Sequence, residues 1–382
     1  MKKIFFTLLT ALLLTGSAVA GTFTESVNNF SFKLLNTTFK KNRNVFISPY
    51  SIYIAFSPVY EGAKNSTEEE LKKGFLYPTK PVLRKLIKEE IEEKTSDKNL
   101  KLFNGIYIQK GFKLKESFLR TVTGFYKPKI KPVDFKNKSE RIKTVNLVNS
   151  DVEKVTEGKI KKILKATDVN HLSRLIIVNA IHFKDNWLIP FKKELTENKP
   201  FHTPSKTVKV PTMKTSGRFK IFENETVKAI SLFYKNRYIM NIFVPQTTKF
   251  KLTPKTYREI LNKLNFENIE LEMPKFKVKN RTYLKKPLSK LGIKEVFTMK
   301  ADLSGMTGKK NLYVQKAIHQ TFINVDENGT EAAAATAVVI GLKSAPPARK
   351  KLFKIDRPFF FTITDKKGTI LFIGYIVNPL EE

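Results

Sequence analysis

The chain predicts an α+β fold in one continuous domain. Two patterns carry this expectation: helical periodicity in the N-terminal third, and apolar runs of strand type through most of the remainder. A third observation fits them, since no linker, repeat or composition shift divides the chain after Gly21.

The elements follow in order. Met1-Lys2-Lys3 is a basic start, residues 4–14 are apolar apart from Thr7 and Thr10, and Ala18-Val19-Ala20 has the small-x-small pattern of a signal-peptidase site. Residues 1–20 are therefore expected to be a signal peptide, leaving a secreted domain, extracellular or periplasmic, over residues 21–382. The apolar run is too short to span a bilayer, and no later stretch approaches the ~20 apolar residues a spanning helix needs. Residues 82–91 place Val82, Leu83, Leu86, Ile87 and Ile91 at helical spacing, with charge on the other face. A second helix is expected from Ser139-Glu140, with Ser139 as its cap and Ile142, Val145, Val148, Val152 and Val155 on its stripe. Residues 175–183 and 238–245 are apolar runs of the kind buried on both faces of a sheet. Residues 271–278 alternate like one half-buried strand, and residues 359–363 and 370–377 flank Asp365-Lys366-Lys367-Gly368 as a hairpin.

Composition narrows the function. Among 382 residues there are 70 Lys and Arg, 35 Asp and Glu, and no Cys. Zero Cys excludes disulfides, thiol catalysis, Cys-containing zinc sites and iron–sulfur clusters. The four His (His171, His182, His202, His319) are scattered without ligand spacing, so neither a metal nor a cofactor is expected. No Gly-x-Ser-x-Gly, His-Glu-x-x-His or phosphate-binding glycine loop is present, which disfavours an enzyme. The net charge of +35 favours an anionic partner without naming one. Two groups of lysines are close in sequence: Lys127, Lys129 and Lys131, then Lys159, Lys161, Lys162 and Lys165. They offer a polyanion site, or simply a solvated face.

The segment over residues 325–349 is unusual. Alanines favour helix up to Ala337, whereas Val338, Val339 and Ile340 favour strand, and Pro346-Pro347 marks a loop. Read as an extended chain, Thr330, Ala332, Ala334 and Thr336 share one small, uncharged face; Glu331, Ala333, Ala335 and Ala337 share the other. A mobile segment that can also serve as a strand is allowed by these residues, and so is a surface helix or a plain linker.

Glu327-Asn328-Gly329-Thr330-Glu331, continued by small residues to Thr336, resembles the hinge of the serpins, the loop-inserting serine-protease inhibitors. The resemblance covers nearly the whole chain after residue 20. Asn44 to Ile52, Gly62 to Leu71, Asn179 to Trp187, Leu291 to Phe297, Ala301 to Gly305, Lys316 to Gln320 and Pro358 to Pro379 resemble family segments in family order. It implies a single-domain fold of three β-sheets with eight or nine helices and a reactive-centre loop, about 327–349, exposed above the largest sheet in a metastable state. In family inhibitors the scissile bond follows the residue sixteen positions after the hinge Glu, which here is Lys343, followed by Ser344. A lysine bait implies a trypsin-like partner, whose specificity pocket ends in a carboxylate, with Leu342 in the adjacent subsite. Arg349, beyond two prolines, is the nearest competing bait.

The implied mechanism is an acyl-enzyme on Lys343, trapped when the segment from Thr330 onward inserts as an extra strand; loop insertion of this kind is a recognised form of strand addition. Roughly fifteen residues at about 3.3 Å each would carry the protease on the order of 50 Å. The resemblance places Asn179, His319, Ser48 and Ser51 beneath the sheet as a latch, and Trp187 at its top. Pro58 departs from helical expectation after Ser51 and predicts a kink or early stop. The chain is expected to act as a monomer. Alternatives are a non-inhibitory protein of the same fold, acting as chaperone or carrier, and a polyanion-binding protein.

Overall fold

The computed structural model describes residues 23–330 and 350–381. The expected signal peptide lies outside the described residues, as do hinge residues Glu331 to Thr336, Leu342, the Lys343–Ser344 bond and Arg349.

Alternation in one strand decides the layering. Along Leu175–Phe183 every residue is buried. Leu175, Ile177, Ile181 and Phe183 face the main core, while Ile176, Val178 and Ala180 face a second apolar cluster built on the helix Lys138–Val155. This strand is central to a seven-stranded sheet among the described residues. On one side it pairs antiparallel with Leu100–Gln109, which pairs in turn with the outer strand Lys129–Val133. On the other it pairs in parallel with Val314–Val325, from Leu175↔Val314 to His182↔Phe322. The strand Phe276–Tyr283 closes that side.

The second sheet has nine strands. The strand Thr207–Glu223 carries Lys192–His202 at its start and Val227–Phe233 at its end, joining two of the three expected sheets into one hydrogen-bonded assembly. Nine α-helices occur among the described residues, the first over 23–38. The helix Pro49–Gly62 is buried at every residue but Glu61 and packs against both Leu175–Phe183 and Ile370–Ile376, so it lies between the sheets.

Four local expectations are corrected. The helix Lys138–Val155 is capped by Asn137, whose side chain accepts from the Glu140 amide at 3.1 Å; Ser139 sits inside the first turn. Ile142 is half exposed, and Thr144 joins Val145, Val148 and Val152 on the buried stripe. Residues 271–278 belong to two strands, Asn265–Pro274 and Phe276–Tyr283, which enter different sheets. The break falls at Lys275, whose amide donates to the Pro211 carbonyl. Finally, Pro58 does not stop its helix. The missing amide would have served the Ile54 carbonyl, and the Ser57 hydroxyl donates to that carbonyl instead at 2.6 Å.

Candidate functional site

Two groups of polar side chains lie along the parallel seam between Leu175–Phe183 and Val314–Val325. The lower group spans it. His319 and Asn179 are direct cross-strand neighbours. Ser48 ends an extended segment as the N-cap of the helix Pro49–Gly62, its hydroxyl accepting from the Ser51 amide, and Pro49 occupies the first turn where its lack of an amide is harmless. This places two serines directly under the seam. The Ser48 amide donates to His319 Nε2 at 3.1 Å, so the ring proton is on Nδ1, which donates to Asn179 Oδ1 at 2.5 Å. The Ser51 hydroxyl donates to the same oxygen at 2.9 Å. Asn179 Nδ2 donates to Asn104 Oδ1 at 2.6 Å and to the Ser51 carbonyl at 3.3 Å. Ser48, Ser51, Asn179 and His319 are all fully buried. Burial pushes the His319 pKa down to about 3, and the accepting role of Nε2 requires the neutral ring. Parting the strands would separate His319 from Asn179 and leave buried polar atoms of this network without partners, which costs free energy.

The upper group surrounds the hinge. Gly329 and Thr330 form a two-residue strand in the slot between the ends of the central strands: Thr330 pairs with Val325 on one side and Asp185 on the other. The slot is tight, for a Cβ on Gly329 would lie 2.1 Å from the Asp185 carbonyl oxygen. Thr330 is fully buried, its hydroxyl 2.6 Å from that of Tyr234. The Tyr234 ring stacks on Trp187 with centroids 4.3 Å apart, and the Trp187 indole donates to the Asp326 carbonyl at 3.0 Å. The Trp187 amide also donates to the Asn328 carbonyl, and the Phe191 amide to that of Glu327.

Glu327 is buried against Lys275, 2.9 Å from its ammonium, and accepts from the Thr196 hydroxyl at 2.8 Å. Burial alone would raise its pKa; the Lys275 and Thr196 hydrogen bonds outweigh it and hold the carboxyl below its ordinary value.

The arrangement is a seam opened only at its top, with the first hinge residues seated in the opening. Of the residues singled out in the sequence, it brings together Glu327, Gly329, Thr330 and Trp187 at one level and Ser48, Ser51, Asn179 and His319 at another. Sequence reasoning missed Asn104, Asp185, Thr196, Tyr234 and Lys275. Their partners are distant along the chain, and no local spacing marks them.

The lysine groups divide. Lys129 meets Asp151 at 2.6 Å and Lys161 meets Glu153 at 3.8 Å, while Lys159 lies over the Phe322 ring. The side-chain ammonium groups of Lys127, Lys131, Lys162 and Lys165 have no carboxylate partner among the described residues, although the Lys165 backbone amide donates to Asp168 at 2.8 Å. No group of three or more His, Cys, Asp or Glu among the described residues is placed to hold a metal ion.

A family model described as serpin (serine protease inhibitor) matches residues 25–379. An uncharacterized serpin-like protein of Thermococcus kodakarensis is 37% identical over 370 residues, 93% of this chain and 85% of that protein. The leukocyte elastase inhibitor of Homo sapiens is 32% identical over 357 residues, covering 88% and 93% of the two chains. Among solved structures, Serpin48 of the insect Tenebrio molitor superposes with a TM-score of 0.81 at 29% identity, covering 93% of this chain and 98% of that one. The mouse protein-Z dependent protease inhibitor gives 0.82 at 26% identity, with coverages of 94% and 98%.

Proposed function

This chain belongs to the serpin family, and from that premise we propose that it is a secreted suicide-substrate inhibitor of trypsin-like serine proteases, cut between Lys343 and Ser344. The family as a whole consists mostly of protease inhibitors rather than enzymes. The observation that carries the reading for this member is the seated hinge: Gly329–Thr330 already fills the top of a seam whose central strands still pair directly below it.

In this reading the protease serine attacks the Lys343 carbonyl, and the C–N bond to Ser344 breaks as Ser344 leaves as a free amine. The ester to Lys343 remains. The freed strand then continues downward from Thr330. One ladder, between Leu175–Phe183 and Val314–Val325, is exchanged for two, each between a central strand and the incoming one. The small residues Ala332, Ala334 and Thr336 suit that interior, since a larger or charged face would have to be buried unpaired. The His319–Asn179 bond crosses the path and must open as the strand passes. Export is supported by the basic start and the Ala18-Val19-Ala20 motif. A polyanion on the lysines of residues 127–165 receives less support, because acids and a ring already engage Lys129, Lys161 and Lys159.

The test is incubation with trypsin, followed by a denaturing gel and N-terminal sequencing of the released fragment. A stable complex and a fragment beginning at Ser344 are expected. Complete turnover to cleaved chain with no complex would assign the non-inhibitory alternative, and a fragment beginning at Lys350 would move the bait to Arg349.

A further inference from the structure

A cleft of about 700 Å³ runs along the flank of the seven-stranded sheet, and residues 278–283, six in succession, form one wall. Successive residues of a strand point to opposite faces, so a cleft bordered by six in a row follows the strand's edge and does not cross its face. That strand, Phe276–Tyr283, pairs with Val314–Val325 on one side only, which leaves its other backbone edge turned to the cleft. The open edge is roughly 20 Å long at about 3.3 Å per residue. The facing wall comes from residues 37–45 and from the short helix Lys285–Lys290.

Charge selects the occupant. Lys40, Arg43, Lys279, Lys286 and Lys290 line the cleft, and none has an ion-pair partner among the described residues. Arg281 is taken up by Asp168, and Glu381 is the one carboxylate on the walls. Unpaired bases are common in a chain with twice as many bases as acids; here four lysines and an arginine gather around one open backbone edge. Such cations guard an edge against apolar strands. An acidic strand meets the opposite response.

We propose that this cleft binds an extended acidic peptide segment of a partner protein, which adds as an outer strand to Phe276–Tyr283 and sets its carboxylates against these five cations. Two other occupants fit less well. Residues 331–349 of a second copy contain one acid, Glu331, and two bases, Lys343 and Arg349, so their net charge is of the wrong sign. An anionic polysaccharide would satisfy the cations but leave the backbone edge without a partner.

Fluorescence anisotropy with a labelled heptapeptide of alternating glutamate and valine tests this. The comparisons are the same peptide N-methylated at alternate amides, a heparin hexasaccharide as competitor, and the double variant Lys279→Glu with Lys286→Glu. The unmodified peptide should bind, the N-methylated peptide and the double variant should each weaken binding at least tenfold, and heparin should compete poorly. Hydrogen exchange in residues 276–283 of the unaltered protein should slow when the unmodified peptide is added, a readout that does not depend on any variant folding. Equal binding of the N-methylated peptide, or strong competition by heparin, would reduce the cleft to a charge-only site and overturn the strand. Absence of peptide binding, or self-association of the chain that the peptide reverses, would overturn the proposed partner.

Discussion

Thr330 is the residue on which the proposed inhibition is most exposed to test. It is fully buried, paired to strands on both sides and hydrogen-bonded to Tyr234. Thr330→Arg would bury an unpaired cation at a cost of several kcal/mol. The variant should be cleaved by trypsin as a substrate and form no SDS-resistant complex; a complex in normal yield would contradict the role assigned to the hinge. His319 supplies a pH prediction. Its folded pKa of about 3 lies below the ordinary 6.5, so the unfolded chain binds the extra proton first as pH falls. The stabilisation is complete above pH 6.5 and is lost progressively as pH falls toward 3, with a total on the order of several kcal/mol. The urea midpoint of the intact protein should fall more steeply between pH 6.5 and 4 than that of His319→Gln. Parallel curves for the two proteins would remove His319 from the account.

At the scale of elements, the helix Pro49–Gly62 gives a test that involves no protease. Ser57 is fully buried and its hydroxyl replaces the amide that Pro58 lacks. Ser57→Ala should cost about 1–3 kcal/mol, the usual penalty for a buried polar group without its partner. Adding Pro58→Ala returns an amide to the Ile54 carbonyl and should recover most of that loss in urea unfolding. If it recovers none, the hydroxyl is not what lets the helix pass through proline. The same helix shows why element boundaries were only partly legible. The buried strand Leu175–Phe183 could be read from its run of apolar residues, because nothing but burial on both faces explains such a run. The proline was misread because its compensation is a side chain one residue earlier. The division at Lys275 was missed because both flanking strands are apolar at the join, and the alternation continues across it. Asn137 outcompeted Ser139 as cap by lying three residues before the amide it accepts from.

For the whole molecule, the prediction concerns stored energy. Trypsin-cleaved protein should melt at a substantially higher temperature than intact protein, as calorimetry or circular dichroism can measure, because two strand ladders replace one. Equal melting temperatures would leave the intact fold with nothing to release. The fold was legible because its segments resemble one family in order along nearly the whole chain. The hinge was legible as a pattern, but its anchorage was not. Glu327 could be counted from; that its carboxylate rests on Lys275 and Thr196 follows from strands that meet only in three dimensions.

The seated hinge has one more consequence. A gap between two strands accepts any extended chain that reaches it first, including the loop of a neighbouring molecule. Gly329 and Thr330 stand in the doorway, paired to Val325 on one side and to Asp185 and Asn186 on the other, so the strand edges there are already taken. A foreign strand must evict the resident before it can enter, whereas the resident's own continuation need only follow it in. On the proposed insertion, the two residues that lead the strand in would thus also stand against the entry of another copy.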